Sequence, residues 1–172
     1  MADLPARPPS PTPTSRAASP SDGEAIRVML VDDSAVVRGL LSRVLEAEPG
    51  IRVAASVADG KMAIDTLRRR PVDIIVLDIE MPVMDGLTAL PKLLEVAPDT
   101  PVIMASTLTQ RNADISLRAL RAGASDYLAK PTSGLAQQST EGFRRDLVAK
   151  VKALAKKPGR APTARPPGTS AP

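Results

Sequence analysis

From residue 26 onward, short apolar runs alternate with segments whose apolar positions recur every three to four residues. Ile26–Val31 is a run rich in branched residues. Ser34 follows where a helix cap belongs, and Val36, Val37, Leu40, Leu41, Val44 and Leu45 then recur at helical spacing until Pro49-Gly50. Ile51–Val57 alternates as a more exposed strand, and residues 59–70 place Met62, Ala63, Ile64 and Leu67 on an amphipathic helix stopped before Pro71. Val72–Leu77 is almost continuously apolar, as in a strand covered on both faces. A third helix is expected over 86–97, a fourth strand over Pro101–Ala105, and a fourth helix over 109–122, ended by Gly123. A short fifth strand over Ser125–Leu128 and a last helix over 141–156, through Phe143, Leu147, Val151 and Leu154, complete the series. Pro91 breaks the pattern, because its ring should clash with the carbonyl four residues back; a late start or a kink in the third helix is expected.

Five strand–helix pairs in strict alternation predict an α/β fold: a five-stranded parallel sheet with right-handed crossovers and five helices on its two faces. The leading topology is the flavodoxin-like, doubly wound order 2-1-3-4-5, with function at the carboxyl ends of the strands. The folded unit is placed at residues 25–156. Residues 1–24 and 157–172 are rich in Pro, Ala, Ser and Thr, lack the apolar content to repay ordering entropy, and are expected to be disordered; the second segment also reads as an interdomain linker cut short.

Chemistry gathers where the strands end. The first strand ends in Asp32-Asp33, the third in Asp78, the fourth in Ser106-Thr107, and Lys130-Pro131 follows the fifth. In the order 2-1-3-4-5 these ends converge. Three carboxylates at one sheet edge repel one another, and a hard divalent cation with oxygen ligands would offset that cost. A carboxylate, a metal, a hydroxyl and a lysine together suit phosphoryl transfer.

Composition narrows the alternatives. The 172 residues include no cysteine and no histidine, which removes disulfides, the usual zinc sites, thiol nucleophiles and any Ser-His-Asp triad. No apolar run approaches the length of a bilayer span, and no leader-like apolar segment opens the chain; a cytoplasmic protein without membrane contact is expected. The net charge of +4 suggests nucleic acid, but residues 156–172 carry Lys156, Lys157, Arg160 and Arg165 and no acid, so the surplus lies in the tail. With one Phe, one Tyr and no Trp there is little to stack on bases, and no nucleic-acid partner is expected. Asp85-Gly86 reads as turn chemistry, Arg68-Arg69-Arg70 as a solvated helix end, and Arg111, Arg118 and Arg121 as a charged outer face.

The pieces Val31-Asp32-Asp33-Ser34, Leu77-Asp78-Ile79-Glu80-Met81-Pro82-Val83-Met84-Asp85-Gly86, Met104-Ala105-Ser106 and Gly123-Ala124-Ser125-Asp126-Tyr127-Leu128-Ala129-Lys130-Pro131 resemble a receiver domain of two-component response regulators. Within that family, Asp33-Ser34-Ala35-Val36-Val37-Arg38, Glu80-Met81-Pro82, Ser106-Thr107-Leu108-Thr109-Gln110 and Ser116-Leu117-Arg118-Ala119-Leu120 are most similar to the receivers of chemotaxis protein-glutamate methylesterases. The resemblance implies that Asp78 accepts a phosphoryl group from a histidine kinase, of chemotaxis type. It implies that Asp33 holds Mg2+ directly, Asp32 through water, with Asp78 and the backbone carbonyl of Glu80 as further ligands. Ser106 and Lys130 would bind the phosphoryl oxygens, with Lys130 placed by a cis bond to Pro131, and Tyr127 would change rotamer with Ser106.

The expected function is therefore a phosphorylation-dependent switch rather than an enzyme. The alternative is the regulatory fragment of a methylesterase whose catalytic, C-terminal effector domain is absent. An aspartyl-nucleophile phosphatase would show Asp-x-Asp on its first strand, where this chain has adjacent aspartates. A flavin site lacks its phosphate loop.

Overall fold

Strand and helix alternate throughout, in the order β1 (Ile26–Val31), α1 (Ala35–Glu46), β2 (Ile51–Val57), α2 (Gly60–Arg69), β3 (Ile74–Asp78), α3 (Gly86–Val96), β4 (Val102–Thr107), α4 (Gln110–Arg121), β5 (Asp126–Lys130) and α5 (Gln137–Leu154). The computed structural model describes residues 25–107, 110–131 and 137–155. The expected disorder of the two tails concerns residues outside the described ones, as do Leu108 and Thr109. The strands form one parallel sheet in the order β2-β1-β3-β4-β5, the doubly wound arrangement expected.

Alternate residues of each central strand feed two cores. Met29, Val31, Ile75, Leu77, Val102 and Met104 pack with Ala63, Ile64 and Leu67 of α2 and with Ala89, Leu90 and Leu93 of α3. Val28, Leu30, Ile74, Val76, Ile103 and Leu128 pack with Leu41, Val44 and Leu45 of α1 and with Phe143, Leu147 and Val151 of α5. Burial on both faces is why these strands read as unbroken apolar runs.

Helices α1, α2 and α3 are each capped where they leave the strand ends. The Ser34 hydroxyl accepts from the Val37 N–H at 3.3 Å, the Asp59 carboxylate from the Met62 N–H at 2.9 Å, and the Asp85 carboxylate from the Thr88 N–H at 2.7 Å. Gly50 (φ 83°) and Gly123 (φ 112°) adopt left-handed backbone where the chain turns out of α1 and α4.

Of the late start and the kink expected at Pro91, the late start does not occur: helix α3 begins directly after its Asp85 cap and extends through Pro91. Proline removes one hydrogen bond, the one an N–H at 91 would make to the Leu87 carbonyl. The cap and full burial of Ala89, Leu90 and Leu93 hold the helix across that gap.

Strands β4 and β5 each run two residues past their apolar stretches, because the ladder pairs Ser106 with Ala129 and Thr107 with Lys130 whatever their side chains. The edge strand β2 slips register between Val28 and Met29 of β1, leaving Ala54 as the extra residue. The Arg70 guanidinium donates to the Ala54 carbonyl at 2.6 Å, so one of the three arginines ending α2 braces the bulge.

Candidate functional site

The order β1-β3-β4-β5 brings Asp32, Asp33, Asp78, Ser106 and Lys130 to one edge of the sheet. Carboxylate oxygens of Asp32, Asp33 and Asp78 all lie within 4.8 Å of one another. Asp32 is 2% exposed and Asp78 5%, whereas Asp33 is exposed. Two buried carboxylates and one open to solvent thus present oxygen donors at one place, beside the Lys130 ammonium. That donor set fits a hard divalent cation.

Lys130 supplies the local positive charge. Its ammonium donates to Asp32 Oδ2 at 2.6 Å and pairs with Asp78 Oδ1 at 2.8 Å. Burial alone would lower the lysine pKa, but the two carboxylates outweigh it and hold the ammonium above its usual range. Burial pushes Asp78 the other way, from 3.8 to about 6, against the hydrogen bond and charge of Lys130; Asp32 adds to the rise, and the Glu80 backbone N–H opposes it.

Asp32 is held at every polar atom. Its N–H donates to the Val57 carbonyl at 3.1 Å, and its Oδ1 accepts the Ser34 N–H at 2.8 Å. Its own carbonyl accepts the Arg38 guanidinium. Asp78 ends β3 in register with Ala105 of β4. Gly86, the first residue of α3, is pressed so close that a Cβ there would lie 2.2 Å from the Asp78 carbonyl oxygen. Between them, Val83 takes left-handed backbone (φ 69°) while its side chain stands in solvent. This is costly for a β-branched residue and marks the loop as tightly constrained.

The remaining expected residues fall as follows. Ser106 is 1% exposed and its hydroxyl donates to the Thr107 carbonyl at 3.2 Å. Tyr127 sits opposite Met104 in the ladder and packs half-buried against the α2–α3 core. Glu80 lines an open cleft of about 690 Å3 beside the carboxylates, with Asp33 and Asp85. The cis bond expected before Pro131 is not there: no peptide bond among the described residues is cis. The trans form is the intrinsic preference of an X–Pro bond, and Lys130 reaches both carboxylates without the cis isomer.

Two residues escaped the sequence reading as site residues. Arg118, expected on a charged outer face, lines the same cleft as Asp33 and Glu80; no periodicity signals this, since it depends on how α4 lies over the sheet. Arg38 belongs to the motif that follows the two aspartates. Its place one turn beyond Ser34 is a legible signal, because long helical side chains lean back over the preceding turn.

The family model for the response regulator receiver domain matches residues 28–137. The protein-glutamate methylesterase/protein-glutamine glutaminase of Azospirillum brasilense is 59% identical over 154 residues, which is 90% of this chain and 39% of that protein. The group 2 operon protein of the same description from Rhodospirillum centenum is 56% identical, over 88% of this chain and 41% of its own length. This chain thus spans about two fifths of the length of these curated relatives. Among solved structures, the response regulator domain of Thermotoga maritima CheB aligns with a TM-score of 0.68 at 35% identity, over 76% of this chain and 96% of that one. CheY of Borrelia burgdorferi, in a complex with CheX, BeF3 and Mg2+, aligns with a TM-score of 0.62 at 27% identity, over 74% of this chain and 87% of that one.

Proposed function

The chain belongs to the response regulator receiver domain family, and from that premise we propose that it is a phosphorylation switch whose acceptor is Asp78. The observation that carries the reading is the buried Asp78 carboxylate, paired with Lys130 at 2.8 Å inside a three-carboxylate cluster whose third member, Asp33, is exposed.

One Asp78 oxygen attacks phosphorus, the bond from phosphorus to the donor's leaving group breaks, and the leaving group departs with the electron pair. Asp33, Asp32, Asp78 and the Glu80 carbonyl would hold Mg2+, which neutralises charge on the transferring group. The Borrelia structure with Mg2+ and BeF3 supports this assignment by analogy. Lys130 then exchanges a carboxylate partner for phosphoryl oxygens. The Ser106 hydroxyl leaves the Thr107 carbonyl to donate to the same group, and Tyr127 follows into the space beside it. The switch is a redistribution between two arrangements of these side chains.

Intact-mass spectrometry tests this. The full chain with Mg2+ and a small acyl phosphate should gain one phosphoryl group, and Asp78→Asn should gain none. Equal labelling of the two proteins would end the proposal.

A second reading concerns context: the chain acts as the regulatory part of a chemotaxis protein-glutamate methylesterase, loaded by a chemotaxis-type histidine kinase. High identity confined to about two fifths of each curated relative supports it. The chain has no histidine with which to build an esterase triad of its own. Sequencing the parent gene for a hydrolase domain tests this reading, and methyl-ester hydrolysis by this chain alone would contradict it.

A further inference from the structure

We propose that Arg38 is a positioning residue of the cation site: its guanidinium fixes the Asp32–Asp33 peptide and thereby aims the exposed Asp33 carboxylate. Arg38 lies in the second turn of α1, and its backbone N–H bonds the Ser34 carbonyl at 2.9 Å. Its side chain leans back over the first turn and donates to the Asp32 carbonyl. That carbonyl belongs to the peptide unit joining Asp32 to Asp33, so the bond sets the orientation of the plane from which Asp33 departs.

The rest of Asp32 is anchored already, by Val57 through its N–H and by Ser34 and Lys130 through its carboxylate. Those anchors fix the first aspartate, and the Ser34 N–H also holds the peptide after Asp33; the peptide between the two aspartates is the one left to Arg38. Asp33 is the one carboxylate of the three open to solvent, the one an entering cation meets first. A half-buried, permanently charged planar donor suits this task; lysine keeps the charge but not the geometry.

Charge and positioning make opposite demands, which gives the proposal its edge. A fixed cation beside a divalent-metal pocket repels the metal. If Arg38 acted only through charge, Arg38→Met would tighten Mg2+ binding and Arg38→Lys would leave it unchanged. If it acts by holding the Asp32–Asp33 peptide, both substitutions weaken binding, by about tenfold, the usual scale for losing a residue that orients a metal ligand.

The inference rests on the cation reading of the cluster, and the experiment separates the two. Mg2+ is titrated into the full chain as wild type, Arg38→Lys and Arg38→Met, with affinity read by calorimetry and by the Asp33 and Ser34 amide resonances. Thermal unfolding in EDTA runs alongside, so that affinity is compared between folded proteins; Arg38→Lys is the milder variant should Arg38→Met fold poorly. The expected result is about tenfold weaker Mg2+ binding in both variants, with displaced Asp33 and Ser34 amide signals before Mg2+ is added. Wild-type affinity in Arg38→Lys, or tighter binding in Arg38→Met, overturns the proposal. Failure of the wild type to bind Mg2+ removes the site itself, and the inference with it.

Discussion

Asp78 is held in the folded chain in a place that disfavours its charge. Burial raises its pKa from 3.8 to about 6, and Lys130 offsets only part of that rise. Because the folded-state value lies above the unfolded one, protonation favours the folded form. That contribution is complete below 3.8 and is lost as pH rises through about 6. The gap corresponds to at most roughly 3 kcal/mol. Asp78→Asn leaves Lys130 with one carboxylate fewer, so a net stabilisation of about 1–2 kcal/mol is expected near pH 7.5 without metal. Urea unfolding in EDTA across a pH series should show wild type and variant converging below about pH 4 and separating up to about pH 6. Mg2+ should narrow the gap by binding the wild type. A gap of constant size from acid to neutral pH would contradict this account. At this scale the sequence told where residues would meet but not how they would bond. Strand-end position alone put Asp32, Asp33, Asp78, Ser106 and Lys130 together. That Ser106 spends its hydroxyl on a backbone carbonyl, that Lys130 needs no cis proline, and that Arg118 faces the cleft depend on rotamers and helix placement.

At the scale of elements, three glycines in three helices separate propensity from packing. Gly39 lies exposed in the middle of α1, and a Cβ there would meet nothing within 4 Å. Gly39→Ala should stabilise the chain by about 0.5–1 kcal/mol, because alanine restricts the unfolded backbone and favours helix. Gly60 opens α2, where a Cβ would lie 2.7 Å from Cβ of Ala89 in α3. Gly60→Ala should therefore cost about 1–3 kcal/mol despite the same propensity gain. At Gly86 the obstacle is backbone: the Asp78 carbonyl oxygen would be 2.2 Å away, and it cannot yield without moving Asp78. Gly86→Ala should cost more than about 3 kcal/mol and should lower phosphoryl uptake as well. Equilibrium urea curves rank the three, and a Gly60→Ala protein as stable as wild type would refute the close approach of α2 to α3. None of these ranks can be read from the chain, where all three look like glycines near helices. Pro91 teaches the converse. Its local rule was clear, yet buried Ala89, Leu90 and Leu93 on either side outweighed one missing hydrogen bond.

For the whole molecule, the parity of residues along the strands matters most. In β1, Val28 and Leu30 face α1 and α5, while Met29 and Val31 face α2 and α3; in β3, Ile74 and Val76 part from Ile75 and Leu77 in the same way. This division was legible, because right-handed crossovers and the order 2-1-3-4-5 already assign the first and last helices to one face. The sheet between the two cores is a shared wall, since each central strand contributes to both. Leu93, in the α2–α3 core, and Leu147, in the α1–α5 core, are both fully buried. Truncating either to alanine should cost about 2–5 kcal/mol. They lie on opposite faces and share no core, so the double variant should lose the sum of the two to within about 0.5 kcal/mol. The shared strands should nevertheless keep unfolding cooperative, so each single variant should melt in one transition at a lower urea midpoint with an unchanged slope. Two resolved transitions in Leu93→Ala would mean that one face can come apart while the other holds. The sheet would then not couple the cores, and the change proposed to start at Asp78 could stay on one side of it. A single transition would mean that Asp78, at the end of a strand walled by both cores, belongs to a unit in which the two cores unfold together.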